Sequence, residues 1–267
     1  MIRKATVNGQ FYPGNKESLR KMISQLIVPK KTKRKAILSI SPHAGYIYSG
    51  SVAGEVFSSI ELPKSFVILG PNHTGMGSPL ALFKKGEWET PLGNVSIDEE
   101  LAELILENCS FVKEDVSAHT YEHSIEVQLP FLQYFLPSFK FVPICVSYLS
   151  YSQLEETGIG LAQAIKKFKE DVLLIASTDF SHYVSQKIAE EKDGMAIKKI
   201  LELNPKGLYE IVTKEKISMC GVAPTTIALK AAIELGAKGA ELVKYATSGD
   251  VSGDYSQVVG YGGIIIF

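Results

Sequence analysis

Along the chain, short runs rich in β-branched residues alternate with longer stretches whose apolar positions recur every three or four residues. That alternation predicts a largely parallel or mixed β-sheet covered by helices, an α/β fold. The apolar runs predict strands over Ala36–Ser41, Phe66–Gly70, Phe141–Val146, Val172–Ser177, Leu242–Thr247 and Val258–Phe267. The periodic stretches predict helices over Lys16–Leu26, Ser51–Ser59, Glu99–Asn108, Ile125–Phe135, Ser152–Phe168, Lys187–Leu203, Pro205–Thr213 and Ala223–Leu235. Between Leu80 and Ile97 the pattern reads as an antiparallel hairpin turning at Pro91-Leu92-Gly93. No repeat, linker or break in composition divides the pattern, so residues 1–267 read as one domain.

Composition narrows the classes of function. With 45% hydrophobic and 21% charged residues, the chain can bury a sizeable core. A formal net charge of -1 gives no field to recruit nucleic acid or an anionic membrane. The residues at the N-terminus do not read as a signal peptide, and no apolar run approaches the roughly 20 residues of a membrane span. The expectation is a soluble, cytoplasmic protein. Three widely spaced cysteines form no disulfide framework and suit a reducing compartment. Cys109, in Leu-Glu-Asn-Cys-Ser, and Cys145, inside Phe-Val-Pro-Ile-Cys-Val, read as small buried hydrophobes. The basic run Lys30-Lys31-Thr32-Lys33-Arg34-Lys35 lacks interleaved aromatics and reads as a solvated connection.

The candidate chemistry lies where strands end. Apolar runs lead into Pro42-His43-Ala44-Gly45-Tyr46, Pro71-Asn72-His73-Thr74-Gly75 and Thr178-Asp179-Phe180-Ser181-His182. Ligands of open α/β sheets bind beyond the carboxyl ends of the strands. If these three strands are parallel, His43, His73 and His182 face one edge and can share a metal. Cys220, in Ser218-Met219-Cys220-Gly221, precedes a predicted helix whose N-terminus favours the thiolate, the form that binds metal.

Two further motifs leave alternatives open. Residues 119–123 spell His-x-x-Glu-His, the inverzincin pattern, which on a helix puts His119 and His123 on one face of a zinc-dependent hydrolase site. A nearby proline and the absence of a third ligand favour His123 as a proton donor or acceptor, oriented by Glu122 or Glu126. Asp250 and Asp254, in a glycine-rich loop, are placed to cap helices, bind a cation or contact a substrate.

Pro-His-Ala-Gly-Tyr at 42–46, Gly-Pro-Asn-His at 70–73, Glu-His-Ser-Ile-Glu-Val-Gln-Leu-Pro at 122–130, Ser-Thr-Asp-Phe-Ser-His at 177–182, Cys-Gly at 220–221 and Ser-Gly-Asp-Val at 248–251 occur in one order. That ordered set resembles the Memo family, the B component of the archaeal and bacterial AmmeMemoRadiSam group, across essentially the whole chain. The resemblance implies a fold similar to the class III extradiol dioxygenases, which bind non-haem Fe(II). It implies a metal site on His43, His73 and Cys220, with Asp179, His182 and His123 as candidate catalytic groups lining the same pocket. Tyr12, Tyr46 and Asp250 are the candidates for substrate contact. Cysteine replaces the carboxylate of the dioxygenase triad, and a thiolate shifts preference from Fe(II) toward Cu or Zn.

Two classes of function follow. One is a metal-dependent oxidoreductase acting on a small substrate, aromatic compounds included, with His182 oriented by Asp179 and His123 as a second proton relay. The other is a non-catalytic protein on a retired dioxygenase fold, binding metal or peptide or serving the radical-SAM member of its group. A homo-oligomer is compatible with either.

Overall fold

The computed structural model describes residues 1–267. In chain order its elements are β1 (Ile2–Arg3), α1 (Lys16–Leu26), β2 (Leu38–Ser41), α2 (Tyr46–Ser59), β3 (Ser65–Pro71), β4 (Leu80–Leu82), β5 (Glu87–Thr90) and β6 (Gly93–Ile97). There follow α3 (Glu99–Asn108), β7 (Lys113–Glu114), α4 (Leu129–Phe135), β8 (Lys140–Val146), α5 (Tyr151–Lys167), β9 (Val172–Ser177) and β10 (His182–Val184). The chain closes with α6 (Gln186–Leu201), α7 (Pro205–Lys214), α8 (Val222–Glu234), β11 (Ala240–Thr247), α9 (Gly249–Ser252) and β12 (Val258–Ile266).

All the strands belong to one mixed sheet whose path runs β1-β5-β6-β8-β3-β9-β2-β12-β10, with β11 on β12 and β4 bridging β8 and β7. At its centre β6, β8, β3, β9 and β2 form a run in which each strand is parallel to the next. β12 turns antiparallel against β2 and is flanked by antiparallel β11. The strand ends that carry His43, His73 and Asp179 therefore open onto the same edge, as the strand-and-loop pattern predicts.

Both faces of the central strands are apolar because helices cover both. Alternate residues of β3 and β9 part between two cores: Val67, Leu69, Leu174 and Ala176 face the layer of α3, α5, α7 and α8. Phe66, Ile68, Leu173 and Ile175 face the layer of α1, α2 and α4. Helix starts are signalled locally. The Asn15 side chain caps α1 at Ser18, Ser150 and Gln153 form a capping box on α5, and Asn204 caps α7 at Gly207.

Three expected elements differ. α2 begins at Tyr46, not Ser51, because Gly45 serves as N-cap directly after the His43 loop. The helix expected over Ile125–Phe135 is split into a 3-10 turn at Glu126–Gln128 and α4, with Pro130 in the first turn. The hairpin closes only between β5 and β6, while Leu80–Leu82 pairs with β8 instead. The basic run at Lys30–Lys35 is exposed, with Lys35 paired to Asp171 and Arg34 to Glu241. No helix is long and apolar enough to cross a membrane.

Candidate metal centre

Two close approaches bring the loops together at the carboxyl edge. Gly70, in β3, lies under the Ser124–Ile125 crossing, where a Cβ would fall 2.5 Å from Ser124 Oγ. Gly221, at the start of α8, abuts the end of β9, where a Cβ would fall 2.3 Å from Thr178 Cβ. Glycine at these two positions lets the 122–128 segment and the Cys220 turn reach the histidines.

Ring atoms of His43, His73 and His123 that can bind a metal lie within 4.8 Å of one another. The His43 and His73 rings meet edge to face at 5.2 Å, and His123 stacks on His73 at 4.7 Å. On its other side His123 touches Phe11, 4.8 Å between ring centres. Cys220 stands outside this trio, yet its sulfur is 3.3 Å from His43 Nε2.

His43 is buried and its pKa is held well below the usual value, first by burial and then by the charges of His123, His73 and His182. It is therefore a neutral imidazole, the form that ligates metal. Its backbone N–H donates to Asp179 Oδ1 at 2.9 Å. Burial pushes the Asp179 carboxyl up to about 6, against the opposing hydrogen bond from His43 and charge of His182. Asp179 Oδ2 lies 3.8 Å from His43 Nε2.

Glu122 is buried and touches both other imidazoles. Its Oε1 is 2.9 Å from His73 Nδ1, and its Oε2 accepts the His73 backbone N–H at 2.6 Å. Burial raises its pKa, but His73's hydrogen bond and charge, the Ser124 N–H and His123 together outweigh burial and hold it at about 2. As a carboxylate it fixes the His73 proton on Nδ1 and leaves Nε2 with a free lone pair. It reaches His123 less closely, 3.5 Å from Nδ1.

Cys220 departs from the thiolate expected at a helix start. Burial, reinforced by the charge of Asp179, pushes its thiol well up, so a metal would have to displace that proton. The sulfur is held by the Asp179 backbone N–H at 3.4 Å. His182 sits on the same edge, but its orienting partner is Ser218, not Asp179. Its Nδ1 is 2.8 Å from the Ser218 carbonyl, and its backbone N–H donates to Ser218 Oγ at 2.7 Å.

The inverzincin arrangement is not formed. His119 and His123 flank a break between short turns and share no helix face. His119 is fully buried between Phe83 and Trp88, with Nε2 3.0 Å from the Ala81 carbonyl. Tyr12 and Tyr46 are likewise buried, and both hydroxyls are spent internally, on Glu126 Oε1 at 2.5 Å and the Val127 carbonyl at 2.6 Å. Neither hydroxyl is free to meet a substrate. Glu126 is held by Arg3 and Tyr12 and so does not orient His123. Asp250 is exposed and caps its own turn at Thr247 N–H.

Sequence reasoning missed Glu122 as the partner of His73, Ser218 as the partner of His182, and the buried pair Ser177 and Gln128 beneath His43. Only Glu122 carried a signal, since it stands in the His-x-x-Glu-His motif. The donor set fits a metal: His43 and His73 each have Nδ1 engaged by a buried partner, beside a thiol.

A mixed α/β sheet with a histidine-lined crevice at its carboxyl edge is the class that fold and site define. A sequence model described as "Memo-like protein" matches residues 3–265, and the chain belongs to that family. It is 44% identical to a MEMO1 family protein of Methanopyrus kandleri, over 99% of both chains. It is 46% identical to one of Aquifex aeolicus, over 99% of this chain and 98% of the relative. A solved structure of an uncharacterized protein from Escherichia coli K12 shares the fold, with a TM-score of 0.56 at 12% identity, covering 86% of this chain and all of that one.

Proposed function

We propose that this chain holds a single transition-metal ion at the carboxyl edge of its sheet, with His43, His73 and Cys220 as ligands. The observation that carries the reading is the meeting of three imidazoles within 4.8 Å, with a thiol 3.3 Å from one of them. His43 and His73 each have Nδ1 engaged by a buried partner, the outer support that ligating histidines require. Cys220 is chosen over His123 because its sulfur is pinned by a backbone N–H. His123 has no hydrogen bond on its ring and lies between Phe11 and His73, which suits a group that moves a proton. Two imidazoles and a thiolate favour Cu or Zn while still admitting Fe(II).

When bound, such an ion supplies Lewis-acid or one-electron chemistry at an open coordination position. The chain's own residues then serve a small, preferably aromatic substrate. Phe11 forms an apolar wall beside His123. His182, with Nδ1 facing the Ser218 carbonyl, presents Nε2 as a proton acceptor at the rim. Asp179 holds the backbone of His43 and the neighbouring charge balance.

The test is anaerobic titration of metal-free protein with Fe(II), Cu(I) and Zn(II), with metal analysis of the products. One ion per chain is expected, lost in His43→Ala and Cys220→Ala, together with a sulfur-to-metal charge-transfer band on Co(II) loading. Retention of the ion in Cys220→Ala with its loss in His123→Ala would replace this ligand set by the three histidines. Oxygen uptake with a panel of catechols tests the oxidoreductase chemistry.

A further inference from the structure

Beneath His43 lies a hydrogen-bond network in which every proton has one possible place. Ser177 Oγ is 2.6 Å from the Ser124 carbonyl, 2.8 Å from Gln128 Nε2 and 3.0 Å from His43 Nδ1. All of these groups are buried. The Ser124 carbonyl can only accept, so it takes the single hydroxyl proton of Ser177. Gln128 Nε2 also donates to the Pro42 carbonyl at 2.9 Å. Flipping that amide would set two oxygens against each other at the same distance, so the nitrogen stays where it is. Ser177 Oγ thus has its hydrogen committed and one lone pair filled by Gln128. Its remaining lone pair can accept one proton, and the only donor left is His43 Nδ1.

We propose that Ser177 and Gln128 are positioning residues that lock His43 as the Nδ1–H tautomer, so that its Nε2 lone pair is presented to the metal before any metal arrives. The inference deepens the metal-site reading and rests on it for its purpose, but the tautomer itself is a property of the metal-free protein. The contact at Nε2 agrees with it: the Cys220 thiol, 3.3 Å away, has a lone pair to donate to. The role differs from that of Glu122 at His73. Glu122 acts by charge, whereas Ser177 is a neutral hydroxyl that would equally well donate to an imidazole if Gln128 and Ser124 did not saturate it. Gln128 reaches across from the turn preceding α4 and joins Pro42, next to His43, to the end of β9. One amide therefore sets both the loop position and the ring's proton.

The experiment is long-range proton–nitrogen NMR on metal-free protein with 15N-labelled histidine, followed by Zn(II) titration against a chromophoric chelator. The wild-type His43 ring is expected to show a pyrrole-type Nδ1 and a pyridine-type Nε2. Ser177→Ala and Gln128→Met are expected to mix or invert that pattern and to weaken Zn(II) binding by about 10- to 100-fold. Ser41→Ala, which removes a buried hydroxyl without a partner opposite Ser177 in the sheet, is expected to change neither. A wild-type spectrum with the proton on Nε2 overturns the proposal, and this reading needs no variant to fold. Unchanged tautomer and Zn(II) affinity in both folded variants also overturn it. An Nδ1–H tautomer in a protein that binds none of Zn(II), Cu(I) and Fe(II) leaves the lock standing and defeats the metal reading instead.

Discussion

Glu122 and His73 lie 49 positions apart, yet they meet twice: Oε1 sits 2.9 Å from the ring Nδ1, and Oε2 accepts the backbone N–H at 2.6 Å. One carboxylate thus sets where the His73 loop lies and which ring nitrogen carries the proton. Oε1 also accepts the backbone N–H of His123 at 2.9 Å, so two of the three clustered imidazoles are placed by one side chain.

Glu122→Gln keeps the shape and removes the charge. Its amide would have to turn a donor toward one of several N–H groups that now share the carboxylate. We expect metal affinity to fall by about 10- to 100-fold, about 1.4 to 2.8 kcal/mol, with the fold retained. Competition with a chelator measures the first, and circular dichroism checks the second. Unaltered affinity would show that His73 is held without Glu122.

Arg3 ties the N-terminal strand to the segment that carries Glu122. Its guanidinium pairs with Glu126, donates to the His119 carbonyl at 2.8 Å and to the Glu122 carbonyl at 2.5 Å, and lies 4.1 Å over the Trp88 ring. Both charged side chains are almost fully buried, so removing one strands the other. Arg3→Met is expected to destabilise the protein by about 3–5 kcal/mol in urea unfolding. Arg3→Met with Glu126→Gln should recover part of that loss, because no charge is then left buried alone and the amide oxygen still accepts from the Tyr12 hydroxyl. A double variant no more stable than Arg3→Met would contradict this account.

How far the site was legible in the sequence follows from the range of its interactions. The strands ending in His43, His73 and Asp179 announce themselves by local apolar runs, and the parallel order of β3, β9 and β2 does the rest. The start of α2 was hidden because Pro42-His43-Ala44-Gly45 reads as one loop, while Gly45 already caps the helix. The His-x-x-Glu-His spacing suggests a helix, but Arg3 holds that segment in short turns from 116 or more positions away, through the His119 and Glu122 carbonyls and the Glu126 carboxylate. The tyrosines misled for the same reason: a hydroxyl's partner across the fold leaves no mark on its neighbours in sequence. Ser177 is one more small residue at a strand end until Gln128 and Ser124 arrive from another element.

His119 gives the stability a pH dependence of its own. Burial lowers its pKa from 6.5 to about 4, against the Ala81 carbonyl that pulls the other way. Between those values the unfolded chain binds a proton that the folded protein does not. The contribution of neutral His119 is therefore complete above about pH 6.5 and is lost as the pH falls toward 4, on the order of 3 kcal/mol in all. Urea midpoints measured across that window should drop, and His119→Gln should flatten the slope. An equally steep slope in the variant would assign it to other groups.

Two glycine-to-alanine changes should act in opposite directions. Gly194 lies within α6, exposed, where an added methyl would find nothing within 4 Å and the backbone has no positive φ. Gly194→Ala is expected to stabilise by about 0.5–1 kcal/mol through helix propensity alone. At Gly221 the new methyl would meet Thr178 Cβ at 2.3 Å and the Ser177 carbonyl at 2.7 Å, and both neighbours belong to the strand end that carries Asp179. Overpacking there costs about 1–3 kcal/mol. It also has to move the turn that holds Cys220, whose sulfur rests on the Asp179 N–H at 3.4 Å. Gly221→Ala should therefore lose both stability and metal affinity, and the ratio of the two losses separates the packing effect from the ligand effect. A variant that loses stability but binds Zn(II) as the wild type does would place Cys220 outside the coordination sphere.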